Sequence, residues 1–305
     1  MNRKRFSLII AAVALTALTL LTASSTARTR ATTSPAQSVT EYNLMTLMGV
    51  VNEGLEAAGS HLRVEYAEYI PPDDSTEVGQ TVFFNDRAKQ LGAHFVPGDP
   101  RRAGRANITY RVDQAEGAID GLTVAQTTAA IDRAMATWQN VNCSTIPITR
   151  LPNLVGDIGL IEFLNGLGGS PIIAGDIVHA GWQPPNVLGN NVLAATFTFI
   201  FVQGGVPTDI DNNGKIDVAL REILYNDRFL WRINSDIDIE TVALHEVGHG
   251  LSQGHFGKAF RTDANGKVHF APRAVMNAAY SGVQQSPAGT DNGGHCSIWG
   301  SWPNN

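Results

Sequence analysis

Cysteine is nearly absent from this chain: two residues in 305, Cys143 and Cys296. That scarcity excludes a small disulfide-dense scaffold and any zinc site built from four thiolates. Charge is scarce too, at 16%, where an average soluble chain carries about 25%. The sign is unbalanced, with 22 Lys and Arg against 28 Asp and Glu, a formal net charge of −6. An acidic surface argues against nucleic acid and anionic membrane surfaces as partners. What is plentiful is apolar side chain, 43% of the sequence, enough for a sizeable core. One main domain behind an N-terminal segment fits this length better than two equal domains.

The N-terminus reads as a targeting segment over residues 1–27. Arg3, Lys4 and Arg5 form a basic start, residues 6–22 an apolar core, and Ser25, Thr26 and Ala27 a small-residue cleavage site. An uncleaved membrane anchor is the competing reading, because the apolar run approaches spanning length. No cysteine lies in this stretch, so lipidation at a cleavage-site cysteine is excluded. Removal of the segment takes three basic residues and no acidic one, leaving 28 acidic against 19 basic, a net −9. The expected product is secreted, with no membrane association in its mature form.

Residues 28–37 are polar and poor in core formers, which predicts a linker. Helical spacing of Leu44, Leu47, Met48, Val51 and Leu55 predicts a helix over 42–58. Short strands are expected at 64–69 and 80–84. Residues 28–104 are then either a propeptide or an extension that stays attached. Arg101, Arg102 and Arg105 offer a processing site for the first reading.

The most informative stretch is 241–256, TVALHEVGHGLSQGHF. On a helix, His245 and His249 lie four apart on one face and point at a common atom. Glu246 projects beside that atom. Two imidazoles so spaced around a glutamate form the H-E-x-x-H zinc pattern. Gly248 and Gly250 weaken the helix and Gly254 can break it, so the chain can swing His255 in as a third nitrogen. Three protein ligands leave one tetrahedral position open for water, the arrangement of a catalytic site. Only eight histidines occur in the chain, which makes this grouping hard to ascribe to chance.

This stretch resembles the metzincin zinc proteases, whose pattern is H-E-x-x-H-x-x-G-x-x-H followed by a Met-turn. Ser252 stands where the family has glycine, a position that normally ends the helix in a left-handed conformation. Met276, within APRAVMNAAYSG, is similar to the Met-turn methionine that floors the histidines. Tyr280 matches the matrixin tyrosine that walls the substrate pocket, with Ala278 where proline is usual. The opening strand at 107–112 and the capped helix at 123–141 are similar to the start of a matrixin domain, and 290–305 to its closing helix. Strands are expected at 176–182 and 192–202. The resemblance implies an α+β fold over 105–305. That fold has a twisted, mostly parallel five-stranded sheet, an active-site helix, a second long helix and a C-terminal helix.

It also implies an endopeptidase acting on peptide or protein substrates. One Zn2+ would be held by His245, His249 and His255, with Glu246 as the general base for a zinc-activated water. Residues 192–198 are the expected edge strand to which a peptide substrate adds. His179 is the only histidine near that region, too few for a structural zinc, and is expected as a hydrogen-bonded strand residue. Matrix metalloproteinases maintain latency through a propeptide cysteine, and residues 38–104 contain none. In a secreted chain, Cys143 and Cys296 suggest a disulfide tying the first long helix to the last.

Asp209, Asp211, Asn213 and Asp217, with Gly214 between them, match the start of a calcium loop. Leu220 stands where the loop's glutamate belongs, so a Ca2+ site and an ordinary Asn/Asp/Gly turn both remain open. Two other functions compete with the peptidase: an extracellular binding protein on an inactive metzincin scaffold, and a calcium-binding module with an accidental H-E-x-x-H. Glu246 favours the enzyme, since a metal site without catalysis needs no base.

Overall fold

The computed structural model of the chain describes residues 38–85 and 92–304. The expected targeting segment and all of the expected linker lie outside the described residues. In chain order, the first elements are helix α1 (Val39–Ala57), strands β1 (Leu62–Ile70), β2 (Thr81–Phe83), β3 (Ala93–His94) and β4 (Ile108–Val112), and helix α2 (Val124–Gln139). Then come β5 (Ile148–Arg150), α3 (Leu160–Asn165), β6 (Ile177–Gln183), α4 (Pro185–Leu188), β7 (Ala194–Gln203), β8 (Val206–Pro207) and β9 (Ile216–Asn226). The chain closes with β10 (Trp231–Arg232), β11 (Ile237–Asp238), α5 (Ile239–Gly250), β12 (Lys258–Arg261), β13 (Val268–Ala271) and α6 (Gly289–Trp299). No described helix is long and apolar enough to cross a membrane.

The fold is mixed α and β, but the sheet differs from the expectation of five mostly parallel strands. It has nine, with a main path β2-β1-β7-β9-β6-β4-β5, and β3 and β8 attached to β9 and β7. Pairing is parallel among β5, β4, β6 and β9 and antiparallel from β9 through β7 to β1 and β2. The extra strands come largely from the N-terminal segment. β1 runs along β7 from Leu62 opposite Phe201 to Ile70 opposite Ala194. The proposed substrate edge at 192–198 is therefore an interior strand, its outer main-chain groups already paired.

β7 shows why the sheet needs cover on both faces. Its Ala195, Phe197, Phe199 and Phe201 point one way, and Thr196 and Thr198 the other, by the period-two rule. The phenylalanine face forms one core with Leu44, Leu47, Met48, Val51 and Leu55 of α1 and with Leu160, Ile161 and Leu188. The opposite face packs under α2, α5 and α6, with Trp138, Leu244, Met276 and Trp299 at its centre. Helix α1 is fixed at its start by a capping box, Ser38 with Glu41. At its end, Asn52 bonds both the amide and the carbonyl of Val64 on β1. Burying five α1 side chains at roughly 2 kcal/mol each makes this helix part of the fold rather than an appendage.

The arginines read as a processing site are all engaged in ion pairs, and Arg102 among them is buried. Arg102 bonds Asp176 at 2.9 Å and the carbonyls of Val96 and Asn107, and Arg105 reaches the same carboxylate. Arg101 holds Asp99 and Asp217. Cys143 and Cys296 are bonded, joining the end of α2 to α6.

The weight of α1 can be measured. Leu44 is fully buried, so Leu44→Ala should lower stability by about 2–5 kcal/mol. Equilibrium denaturation showing a loss below about 0.5 kcal/mol, the range of a surface change, would make α1 a separable tail.

Candidate metal centre

Helix α5 begins at Asp238, whose carboxylate accepts from the Thr241 amide at 2.9 Å and suits the positive end of the helix dipole. All twelve of its residues are buried. The indole of Trp138 on α2 donates to the Leu244 carbonyl and locks the two helices together. His245 and His249 then lie one turn apart and face the same point.

The chain turns directly after the helix, at Ser252 rather than at Gly254. Ser252 adopts φ 69°, a left-handed conformation that costs a non-glycine residue about 1 kcal/mol or more. Its hydroxyl offsets the strain, accepting from Arg221 at 2.8 Å and donating to the Ala93 carbonyl at 3.0 Å. The turn brings His255 back to the helix. The Nε2 atoms of His245 and His249 stand 3.0 Å apart, and those of His249 and His255 3.2 Å.

Those separations suit a small ion. Nitrogens about 2.0–2.1 Å from a tetrahedral metal lie roughly 3.3 Å from each other. The tautomers agree. Nδ1 of His245 donates to the Val275 carbonyl at 2.7 Å and Nδ1 of His249 to the Gln253 carbonyl at 2.7 Å. Each neutral ring therefore turns its Nε2 lone pair inward, where lone pairs repel unless a cation sits between them. Burial, aided by the charge of its neighbours, holds His245 and His255 far below the usual histidine range. Burial also opposes a charged His249, but Glu68 and Glu246 outweigh it and raise that ring.

Glu246 lies beside the imidazoles, fully buried. Its Oε2 accepts from the Thr196 hydroxyl of β7 at 2.6 Å, and its Oε1 has no hydrogen-bond partner among the described residues. Burial pushes its carboxyl up to about 7, against the opposing pull of His249 and Thr196. A carboxylate of raised basicity with one free oxygen is what proton transfer near neutrality requires.

Met276 lies under the helix in the expected place. Its sulfur occupies the space where a side chain on Gly248 would begin. That glycine exists for close approach, not for flexibility. Asp291, at the start of α6, fixes the turn by accepting from the amides of Val275 and Met276 at 2.9 and 3.0 Å. Tyr280 lines a small cavity of about 10 Å³ with His245, Thr241 and Ile70, and its hydroxyl bonds Asp236 and Asp238 of the preceding loop.

Three groups at this site carried no signal in the sequence. Asp291 is one. Arg221, wholly buried, donates to the Gly250 and Ala93 carbonyls and to Thr198, joining β9 to the end of the active helix. Glu68, from β1, places Oε2 3.2 Å from Nδ1 of His249. No short-range pattern marks an aspartate, an arginine or a glutamate so far from the motif it serves.

The remaining candidates fall elsewhere. His179 bonds the Tyr225 hydroxyl at 2.9 Å within the sheet, and burial lowers it to about 3. Asp209, Asp211 and Asp217 come within 4.8 Å of one another. Their oxygens already accept from the loop: Asp209 from the Asn213 and Gly214 amides, Asp217 from Arg101, Thr208 and Ile210. Asn213 likewise accepts from the Lys215 amide.

Gly248→Ala should drive a methyl into Met276 and cost about 1–3 kcal/mol. Zinc affinity should fall with it, because the methionine turn also carries the Val275 carbonyl that orients His245. Thermal unfolding and chelator competition on the same sample test both; an unchanged zinc affinity would uncouple the turn from the metal site.

No protein-family model matches the chain, and no curated protein matches it.

Proposed function

We propose that this chain is a zinc-dependent endopeptidase of metzincin type, acting on peptide or protein substrates outside the cell. The observation that carries the reading is the convergence of three imidazole Nε2 atoms beside a buried carboxylate with one free oxygen. Expected extracellular placement, from the leader-like residues 1–27, and an acidic balance agree with a protein substrate rather than a nucleic acid.

His245, His249 and His255 would hold the ion, which when bound supplies Lewis-acid activation of water and charge stabilisation at a carbonyl oxygen. The other roles belong to the chain. Glu246 accepts the proton of the attacking water at Oε1, while Thr196 fixes Oε2. The water oxygen bonds to the peptide carbon, the carbon–nitrogen bond breaks, and Glu246 returns the proton to the leaving amine. Val275 and Gln253 hold the imidazoles in the tautomer that offers Nε2.

A second reading is a binding protein on the same scaffold. It is favoured by closure: His245, Glu246 and His249 are at most 1% exposed. The two readings part at Glu246. The variant Glu246→Ala should bind zinc as tightly as the parent and lose peptide hydrolysis by roughly 10²–10⁴-fold, the span of a general base. Undiminished turnover by that variant would refute the assignment. Zinc-loaded parent protein that cleaves no peptide, even with its centre opened, would favour the binding role.

A further inference from the structure

Between Ile70 and Thr81 the chain leaves the sheet and passes beside His255. This strap, residues 71–80, makes main-chain bonds to the segment after Met276. The Pro71 carbonyl accepts from the Tyr280 amide at 3.0 Å, and the Gly79 amide donates to the Ala278 carbonyl at 2.5 Å. Gly79 lies against His255; a side chain there would come within 2.9 Å of the ring and would run into the Tyr69 carbonyl. Ile70, at the foot of the strap, fills the cavity beside Tyr280 and His245 down to about 10 Å³.

Resting on the peptidase reading above, we propose that residues 71–80 are a lid. It occupies the main-chain positions an extended peptide would use, and the centre stays latent until it lifts. The amide of Tyr280 and the carbonyl of Ala278 are the donor and acceptor an incoming peptide needs on that wall. The Tyr280 amide has a single proton and serves one acceptor in line at a time. On the opposite wall, β1 already pairs with β7. A peptide therefore gains its main-chain bonds only where the strap gives them up.

The strap is built to leave more easily than β1. Asp73, Asp74 and Thr76 are exposed. Its outer attachments are an exposed ion pair from Lys267 to Asp73, a bond from Arg261 to the Thr76 carbonyl and one from Thr40 to Glu77. An exposed ion pair holds weakly and is screened by salt. β1, by contrast, is tied to β7 along its length and buried on both faces. Lifting the strap leaves the two cores intact.

Two perturbations test the lid on the full chain loaded with zinc. In one, Gly79→Val denies the strap its seat. In the other, a recognition sequence for a site-specific protease is inserted between Asp73 and Asp74 and cut after folding. The readout is the rate at which a colorimetric chelator extracts zinc, followed by peptide hydrolysis. Each perturbation should raise the extraction rate at least tenfold and raise turnover with it. If Gly79→Val does not fold, judged by near-ultraviolet circular dichroism, the cut chain alone decides. Extraction rates unchanged after cutting overturn the lid, as does full turnover by the uncut parent. Faster extraction without hydrolysis in any form supports the lid and sinks the peptidase reading instead.

Discussion

Two carbonyl oxygens decide what this site can be. Val275 and Gln253 each accept the Nδ1 proton of a histidine, and so determine that Nε2 faces inward. A protonated Nε2 in that position would put hydrogens into the space meant for an ion. The carbonyls are themselves held from a distance. Asp291 anchors the Val275 segment through two amides, and the Ser252 turn places Gln253. The His245 and His249 rings are thus the last links of a chain that begins at the start of α6 and at the end of α5.

Arg221 shows how much of the site depends on polar burial. It donates to carbonyls and hydroxyls of four segments: Thr198 of β7, Gly250 and Ser252 at the end of α5, Tyr66 of β1 and Ala93 of β3. The Gly250 carbonyl lies at the negative end of α5, where a cation is favoured. Buried acceptors left without a donor cost about 1–3 kcal/mol each, so this one side chain determines where the helix ends. It also supplies the hydrogen bond that lets serine take a glycine conformation at 252.

The parts of this structure legible in the sequence are those set by local spacing. The i, i+4 histidines and the third at i+10 converge as expected. The apolar stripe of α1 and the capped helix α2 fall close to their expected places. Cys143 and Cys296 meet. What was not legible depends on partners far apart in the chain. β1 and β7 are about 130 residues apart, and nothing in LRVEYAEYI states which strand it will join. A register shift between Val64 and Tyr66 sets which of its side chains face α5, and with that the aim of Glu68 at His249. Arg101 and Arg102 look like a free basic pair until Asp217 and Asp176 are placed beside them, and Arg102 is then buried. Gly254 was the obvious breaker, but the turn falls where Arg221 can stabilise it, not where glycine is free.

The N-terminal segment joins these observations. One stretch of chain does two jobs that differ in strength. α1 and β1 are cemented into the sheet by apolar burial and by a ladder that runs, with one bulge, from Leu62 to Ile70. The strap that follows is held by a few main-chain bonds and exposed side chains, the kind of segment that unfolds locally well below the global free energy. Of the clustered groups, His245, Glu246 and His249 are buried and His255 is half-buried, so on the peptidase proposal a macromolecular substrate reaches Glu246 only if something moves. Because the strong half of the segment carries the fold and the weak half carries the closure, access can change without cost to the core. On the peptidase proposal, that division is what reconciles a buried Glu246 with turnover.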